Sequence, residues 1–119
     1  TSFVQYAGVV ALQGKSDTDV ENMVKSFGTR KKLICELLKD VKNISIVEPQ
    51  GAFYVMCDVS KTGLTGDEFA KKILEEKLLA VIPCASFGAP NYVRLSYACS
   101  EENIIEAVKR LKEFCEETR

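Results

Sequence analysis

The 119 residues contain no histidine. Mechanisms that need an imidazole base from this chain are therefore excluded, among them Ser-His-Asp and Cys-His nucleophile systems and His-ligated zinc. Charge of one sign is also lacking: 16 Lys and Arg against 17 Asp and Glu leave a net charge of −1. Without a basic excess or a basic run there is nothing to track phosphates, so neither nucleic acid nor an anionic membrane is expected as a partner. Five cysteines occur, at 35, 57, 84, 99 and 115, but no two form a C-x-x-C pair, and no metal site is expected. Their odd number and wide spacing point to reduced thiols in a cytoplasmic compartment, serving mostly as small core hydrophobes. No apolar run approaches the roughly 18 to 20 residues that span a bilayer, and no charged segment followed by an apolar one opens the chain as a signal peptide would.

What is present is an ordinary globular composition, 46% hydrophobic and 28% charged. A chain of this length buries roughly two-thirds of its unfolded surface, enough for a core without disulfides or metal. It opens at Thr1 without methionine and enters at once the apolar stretch Phe3 to Leu12. Natural termini are usually polar and frayed, so this start predicts a longer parent polypeptide.

Ser2 to Leu12 is apolar on nearly every side and predicts a helix packed within a larger body. From Ser16 or Asp17 as N-cap, Val20, Val24, Phe27, Ile34, Leu38 and Val41 mark one face of a long helix ending near Lys42 and Asn43. Gly28 lies inside it and weakens it by about 1 kcal/mol relative to alanine. Ile44 to Val47 reads as a strand, Pro49-Gln50-Gly51 as a turn, and Ala52 to Asp58 as a second strand, apolar on both faces and expected to be covered on each side. Thr65-Gly66-Asp67-Glu68 has the spacing of a capping box, followed by the stripe Phe69, Ala70, Ile73 and Leu74. Leu79 to Ile82 predicts a short strand stopped by Pro83, and Tyr92 to Ala98 a further strand. Ser100 then caps a last helix with Ile104, Val108, Leu111 and Cys115 on one face. The order α-α-β-β-α-β-β-α predicts an α+β fold: helices on a small mixed, largely antiparallel sheet of about four strands.

Arg94 is the residue with most chemical content. Alternation places Tyr92, Arg94 and Ser96 on one face of their strand and Val93, Leu95 and Tyr97 on the other. A guanidinium matches a carboxylate bidentately and is costly to bury unpaired. Pattern alone leaves two readings open, an anchor for an anionic substrate and a solvent-facing arginine. The preceding loop, Pro83 to Gly88, with a small-residue turn and one aromatic, Phe87, suits a mobile segment lining a pocket or an ordinary connection, and lacks the glycines of a phosphate cradle. Cys84 has no base near it in sequence to make it a nucleophile. Glu75-Glu76, Glu101-Glu102 and Glu116-Glu117 read as solvated helix surface rather than a hydrolase carboxylate pair.

Taken in order, Ser2-Phe3-Val4-Gln5-Tyr6-Ala7, Pro49-Gln50-Gly51-Ala52-Phe53-Tyr54, Val81 to Gly88, Tyr92 to Ala98 and Glu106 to Leu111 resemble the C-terminal part of the class I/II, fold-type I pyridoxal-phosphate aminotransferases, the aspartate aminotransferase family. The resemblance runs over essentially the whole chain. It implies that residues 1–15 are the truncated end of a large cofactor-binding domain or an interdomain helix, and that residues 16–119 are the small C-terminal domain. It implies that Arg94 binds the substrate α-carboxylate, that Phe53 lies on the strand approaching the substrate, and that Ser2 comes near the active site at a homodimer interface. Amino acid and 2-oxo acid are the implied substrates and pyridoxal 5′-phosphate the implied cofactor. None of the twelve lysines has the context of the family's Schiff-base lysine, so no catalytic residue is assigned here, and the isolated piece is expected to be inactive and to bind no cofactor. One departure is Cys84, where the family usually has glycine after the proline; cysteine does not readily take a positive φ. A carbon–sulfur β-lyase of the same fold, and a non-catalytic carboxylate-binding or interaction module, are the alternatives.

Overall fold

In the computed structural model, which describes residues 1–117, the elements follow the predicted order. They are α1 (Ser2–Leu12), α2 (Asp17–Lys39), β1 (Ser45–Val47), β2 (Tyr54–Asp58), α3 (Gly66–Lys77), β3 (Ile82–Pro83), β4 (Tyr92–Ser96) and α4 (Glu101–Glu117). Residues 118 and 119 of the predicted small domain lie outside the described residues. The four strands form one sheet in the order β1-β2-β4-β3, and every adjacent pair is antiparallel, so the sheet is not mixed. The short connections β1 to β2 and β3 to β4 turn the chain straight back on itself, which dictates the antiparallel sense of those two pairs.

The core lies on one face of this sheet. Val55 and Cys57 of β2 and Val93 and Leu95 of β4 are buried with Ile34, Cys35 and Leu38 of α2, Phe69 and Ile73 of α3, and Ile104, Val108 and Leu111 of α4. The rings of Phe69 and Phe114 meet edge to face at 5.1 Å. Each such large side chain contributes about 1.5–3 kcal/mol by leaving water. The expectation that β2 is covered on both sides fails: Tyr54 and Met56 alternate outward and are only half-buried, because all three packed helices share the opposite face.

Three elements differ in extent from expectation. Of the α2 face, only the C-terminal half packs; Val24 is 64% exposed and Val20 is exposed too. Leu74 of α3 is 48% exposed, one position off the buried stripe. The strand expected over Leu79 to Ile82 is instead Ile82–Pro83, where the proline sits on an edge strand that needs no amide donor on its outer side. None of α1 is buried against the other described residues.

The capping box forms as expected. The Glu68 amide donates to Thr65 Oγ1 at 3.3 Å and the Thr65 amide to the Glu68 carboxylate at 2.9 Å, which holds that carboxyl below its ordinary range. The next residue binds this helix to the site-bearing strand. Gly66 N–H donates to the Pro90 carbonyl at 2.8 Å, and a Cβ at Gly66 would meet the Tyr92 carbonyl oxygen at 2.5 Å. Gly66→Ala is therefore expected to destabilise by about 1–3 kcal/mol through overpacking. Gly28→Ala, in open space within a helix, should instead stabilise by about 0.5–1 kcal/mol. Urea denaturation distinguishes the two; equal stability of Gly66→Ala and wild type would refute the close approach.

Burial also sets the thiols. The Cys57 thiol is pushed from its usual 9.0 up to about 12 and that of Cys115 to about 11, both chiefly by desolvation. Above pH 9.0 the unfolded chain ionises these thiols while the folded chain keeps them neutral, so the unfolded state binds fewer protons and stability falls as pH rises. Denaturation from pH 8 to pH 10.5 should show this decline, and Cys57→Ala should lessen the slope; an unchanged slope would count against the assignment.

Candidate functional site

Arg94 sits at the centre of the uncovered sheet face. The register sets it opposite Met56 of β2 and Ile82 of β3, with Tyr54 opposite Ser96. Paired residues in an antiparallel ladder share a face, so Tyr54, Met56, Ile82, Arg94 and Ser96 all point away from the helices. The guanidinium carbon lies 4.7 Å from the Tyr54 ring centroid and 5.4 Å from that of Phe87. Among the described residues no carboxylate is within 4.0 Å of it; the ion pairs are Lys31–Glu48, Lys39–Glu36, Lys77–Glu117 and Arg110–Glu106, all elsewhere. A half-buried guanidinium resting on rings, with no counter-ion among the described residues, has a chemistry that matches a carboxylate through its N–H fork.

The turn before β2 brings Phe53 beside this group. Ala52 adopts φ 59°, a left-handed conformation that costs a non-glycine residue about 1–2 kcal/mol. Two bonds from Tyr97 hold it: the buried hydroxyl donates to the Ala52 carbonyl at 3.0 Å and the amide to the Phe53 carbonyl at 2.8 Å. The Phe53 ring, half exposed, lies 5.8 Å from Tyr54 edge to face and 6.3 Å from Phe27. A row of rings thus runs from Phe27 through Phe53 and Tyr54 to Arg94. Ser2 is not brought into it. It is exposed on α1, where it lines a shallow groove with Gln5, Tyr6 and Val9 only.

The loop between β3 and β4 supplies the second ring. The Cys84 carbonyl accepts from the amides of Phe87 and Ala89, both at 3.0 Å, while the Cys84 amide donates to the Tyr92 carbonyl at 3.0 Å. Residues Ala85–Phe87 form a single 3-10 turn closed by Gly88 at φ 78°. Cys84 itself has φ −108°, so this loop asks for no positive φ where the cysteine stands, and the departure from glycine carries no strain. Burial pushes the Cys84 thiol up, against a weaker downward pull from Arg94, which removes the thiolate a nucleophile would need.

The sequence singled out Arg94 and Phe53, which the ring row brings together, but not Tyr54, the nearest support of the guanidinium, and it read Phe87 only as a pocket aromatic. The available signal was the Tyr54-x-Met56 alternation, which puts Tyr54 outward once β2 is taken as half-covered. The outward positions fixed by register are Ser45, Val47, Tyr54, Met56, Asp58, Ile82, Tyr92, Arg94 and Ser96, with no lysine among them. These strand positions therefore offer no amine for an imine and no second cation for a phosphate. Their residues fit a carboxylate and do not by themselves fit pyridoxal phosphate.

The family model "Aminotransferase class I and II" matches residues 1–111. The aspartate aminotransferase of Pyrococcus horikoshii is 41% identical over 118 residues, 97% of this chain and 30% of that protein. That of Bacillus sp. strain YM-2 is 44% identical over 119 residues, 96% of this chain and 30% of the relative. Among solved structures, an aromatic aminotransferase from Pyrococcus horikoshii superposes with a TM-score of 0.90 at 37% identity, over 97% of this chain and 31% of that one. An aspartate aminotransferase from Rhizobium meliloti superposes at 0.91 and 29% identity, over 100% and 32%. The chain thus spans about a third of the length of the relatives it matches.

If Arg94 serves a ligand rather than the fold, its removal should spare the fold. Arg94→Leu is expected to change stability by less than about 1 kcal/mol, the worth of exposed cation–ring contacts. Leu95→Ala, its buried neighbour, should cost about 2–5 kcal/mol. Chemical denaturation measures both, and a loss above 2 kcal/mol for Arg94→Leu would make Arg94 structural.

Proposed function

The chain belongs to the class I and II aminotransferase family, and from that premise we propose that it is the small, carboxylate-binding domain of a pyridoxal-phosphate-dependent enzyme that moves an amino group between an α-amino acid and a 2-oxo acid. The observation that carries this reading is Arg94: a guanidinium on an open sheet face, backed by Tyr54 and Phe87, with no carboxylate partner among the described residues.

In this reading residues 16–119 form the small domain, and residues 1–15 are the end of a large domain or an interdomain helix. The cofactor, which supplies the electron sink for such chemistry, is held by residues other than these. Arg94 grips the substrate α-carboxylate through two parallel N–H···O bonds and so fixes the orientation of the adjoining Cα–H bond. Phe53 borders the substrate beyond Tyr54. As the domain closes, the apolar residues around Arg94 expel water, and the ion pair strengthens in the lower dielectric. The parent is read as a cytoplasmic homodimer with Ser2 near the subunit boundary; no helix among the described residues is long and apolar enough to cross a membrane. The names of the matched proteins, aspartate and aromatic aminotransferases, support an α-amino acid as substrate.

Arg94→Lys in the intact enzyme replaces a bidentate fork by a point charge. It is expected to lower kcat/KM by about 30- to 1000-fold, or roughly 2–4 kcal/mol. Steady-state kinetics with L-aspartate and 2-oxoglutarate, then with an aromatic amino acid, measure this; wild-type values throughout would refute the role of Arg94.

A further inference from the structure

Phe87 is 61% exposed, yet it is borne on a turn whose backbone is tied twice to the Cys84 carbonyl. Singly exposed aromatic residues are common and need no function. Phe87 differs in what it touches. Among the described residues it has no aromatic neighbour, and its ring meets the guanidinium of Arg94 at 5.4 Å.

The other residues around Arg94 leave it little else to orient it. Met56 and Ile82, directly opposite on the flanking strands, have no side-chain oxygen to accept from a guanidinium. Asp58 shares the face but its carboxylate accepts from the Ser60 amide at 2.9 Å. A carboxylate from the protein would orient Arg94 only by occupying the N–H fork that a ligand requires. A ring attracts the cation through its negative face and leaves the N–H edges open.

We propose that Phe87 is a positioning residue for substrate binding: together with Tyr54, its ring stands in for a protein counter-ion, holding the Arg94 guanidinium in place while its hydrogen-bonding edge stays open to a carboxylate. This rests on the carboxylate-binding reading of Arg94. Tyr54 also packs on Phe53, so its removal would disturb the ring row as well, whereas removal of Phe87 isolates the contact with the guanidinium.

The test uses the intact enzyme with L-aspartate and 2-oxoglutarate as probes. Phe87 is replaced by leucine, by tyrosine, and by trifluorophenylalanine, which keeps the ring's shape while weakening its negative face; Arg94→Lys is measured in parallel. In the leucine and trifluoro variants the KM for 2-oxoglutarate should rise about 3- to 30-fold, the range a cation–ring contact supplies, with the change falling on KM more than on kcat. Phe87→Tyr should restore KM, and the thermal midpoint of the trifluoro variant should not move. Wild-type KM in the leucine and trifluoro variants beside a collapsed Arg94→Lys overturns the role of Phe87 alone. A rise confined to the leucine variant assigns the effect to packing and also overturns it. Wild-type kinetics in Arg94→Lys, or an intact protein without turnover on these probes or an aromatic amino acid, overturns the reading beneath it.

Discussion

The antiparallel ladder between β2 and β4 is the constraint on which the site depends. Five residue pairs, from Tyr54 with Ser96 to Asp58 with Tyr92, fix which side chains share a face. A slip of one position would turn Arg94 into the core and Val93 and Leu95 into water, at a cost no surface contact could offset. The apolar demand of Val55, Cys57, Val93 and Leu95 for the helices therefore also determines where the cation goes. Packing on one side of the sheet and the placement of Arg94 on the other are two results of the same register.

That coupling explains which parts were legible in the sequence. Alternation within one strand is local, so Tyr92, Arg94 and Ser96 could be assigned to the outer face without a partner. The capping box at Thr65 and Glu68, the packed face of α4 and the extent of α1 were likewise readable from spacings of a few residues. The pairing of strands is not local. Nothing within Ala52 to Asp58 says that Tyr54 will reach a guanidinium 40 positions later, and the apolar character of both its faces concealed that one is open.

The misread elements have a common physical origin. Val20 and Val24 are apolar and correctly spaced, yet exposed here, because periodicity reports what a helix can bury and not whether another element is there to cover it. The edge strand at Ile82–Pro83 follows the same logic in reverse, since a proline is accepted where the outer ladder is absent. Absence of histidine, which excludes several kinds of catalysis within this chain, has no bearing on the proposed carboxylate recognition, which needs a guanidinium fork and no imidazole.

The turn that carries Phe87 has a thermodynamic consequence. A single carbonyl, that of the buried Cys84, receives two amides and so locks the backbone from 84 to 89 as the chain folds. The loss of freedom for this loop is then already complete when a ligand arrives, and it is charged against folding rather than association. A mobile loop would meet the Arg94 guanidinium only after the ordering it still had to undergo. The order of this segment is thus written into one cysteine carbonyl, ten residues before the arginine that Phe87 meets.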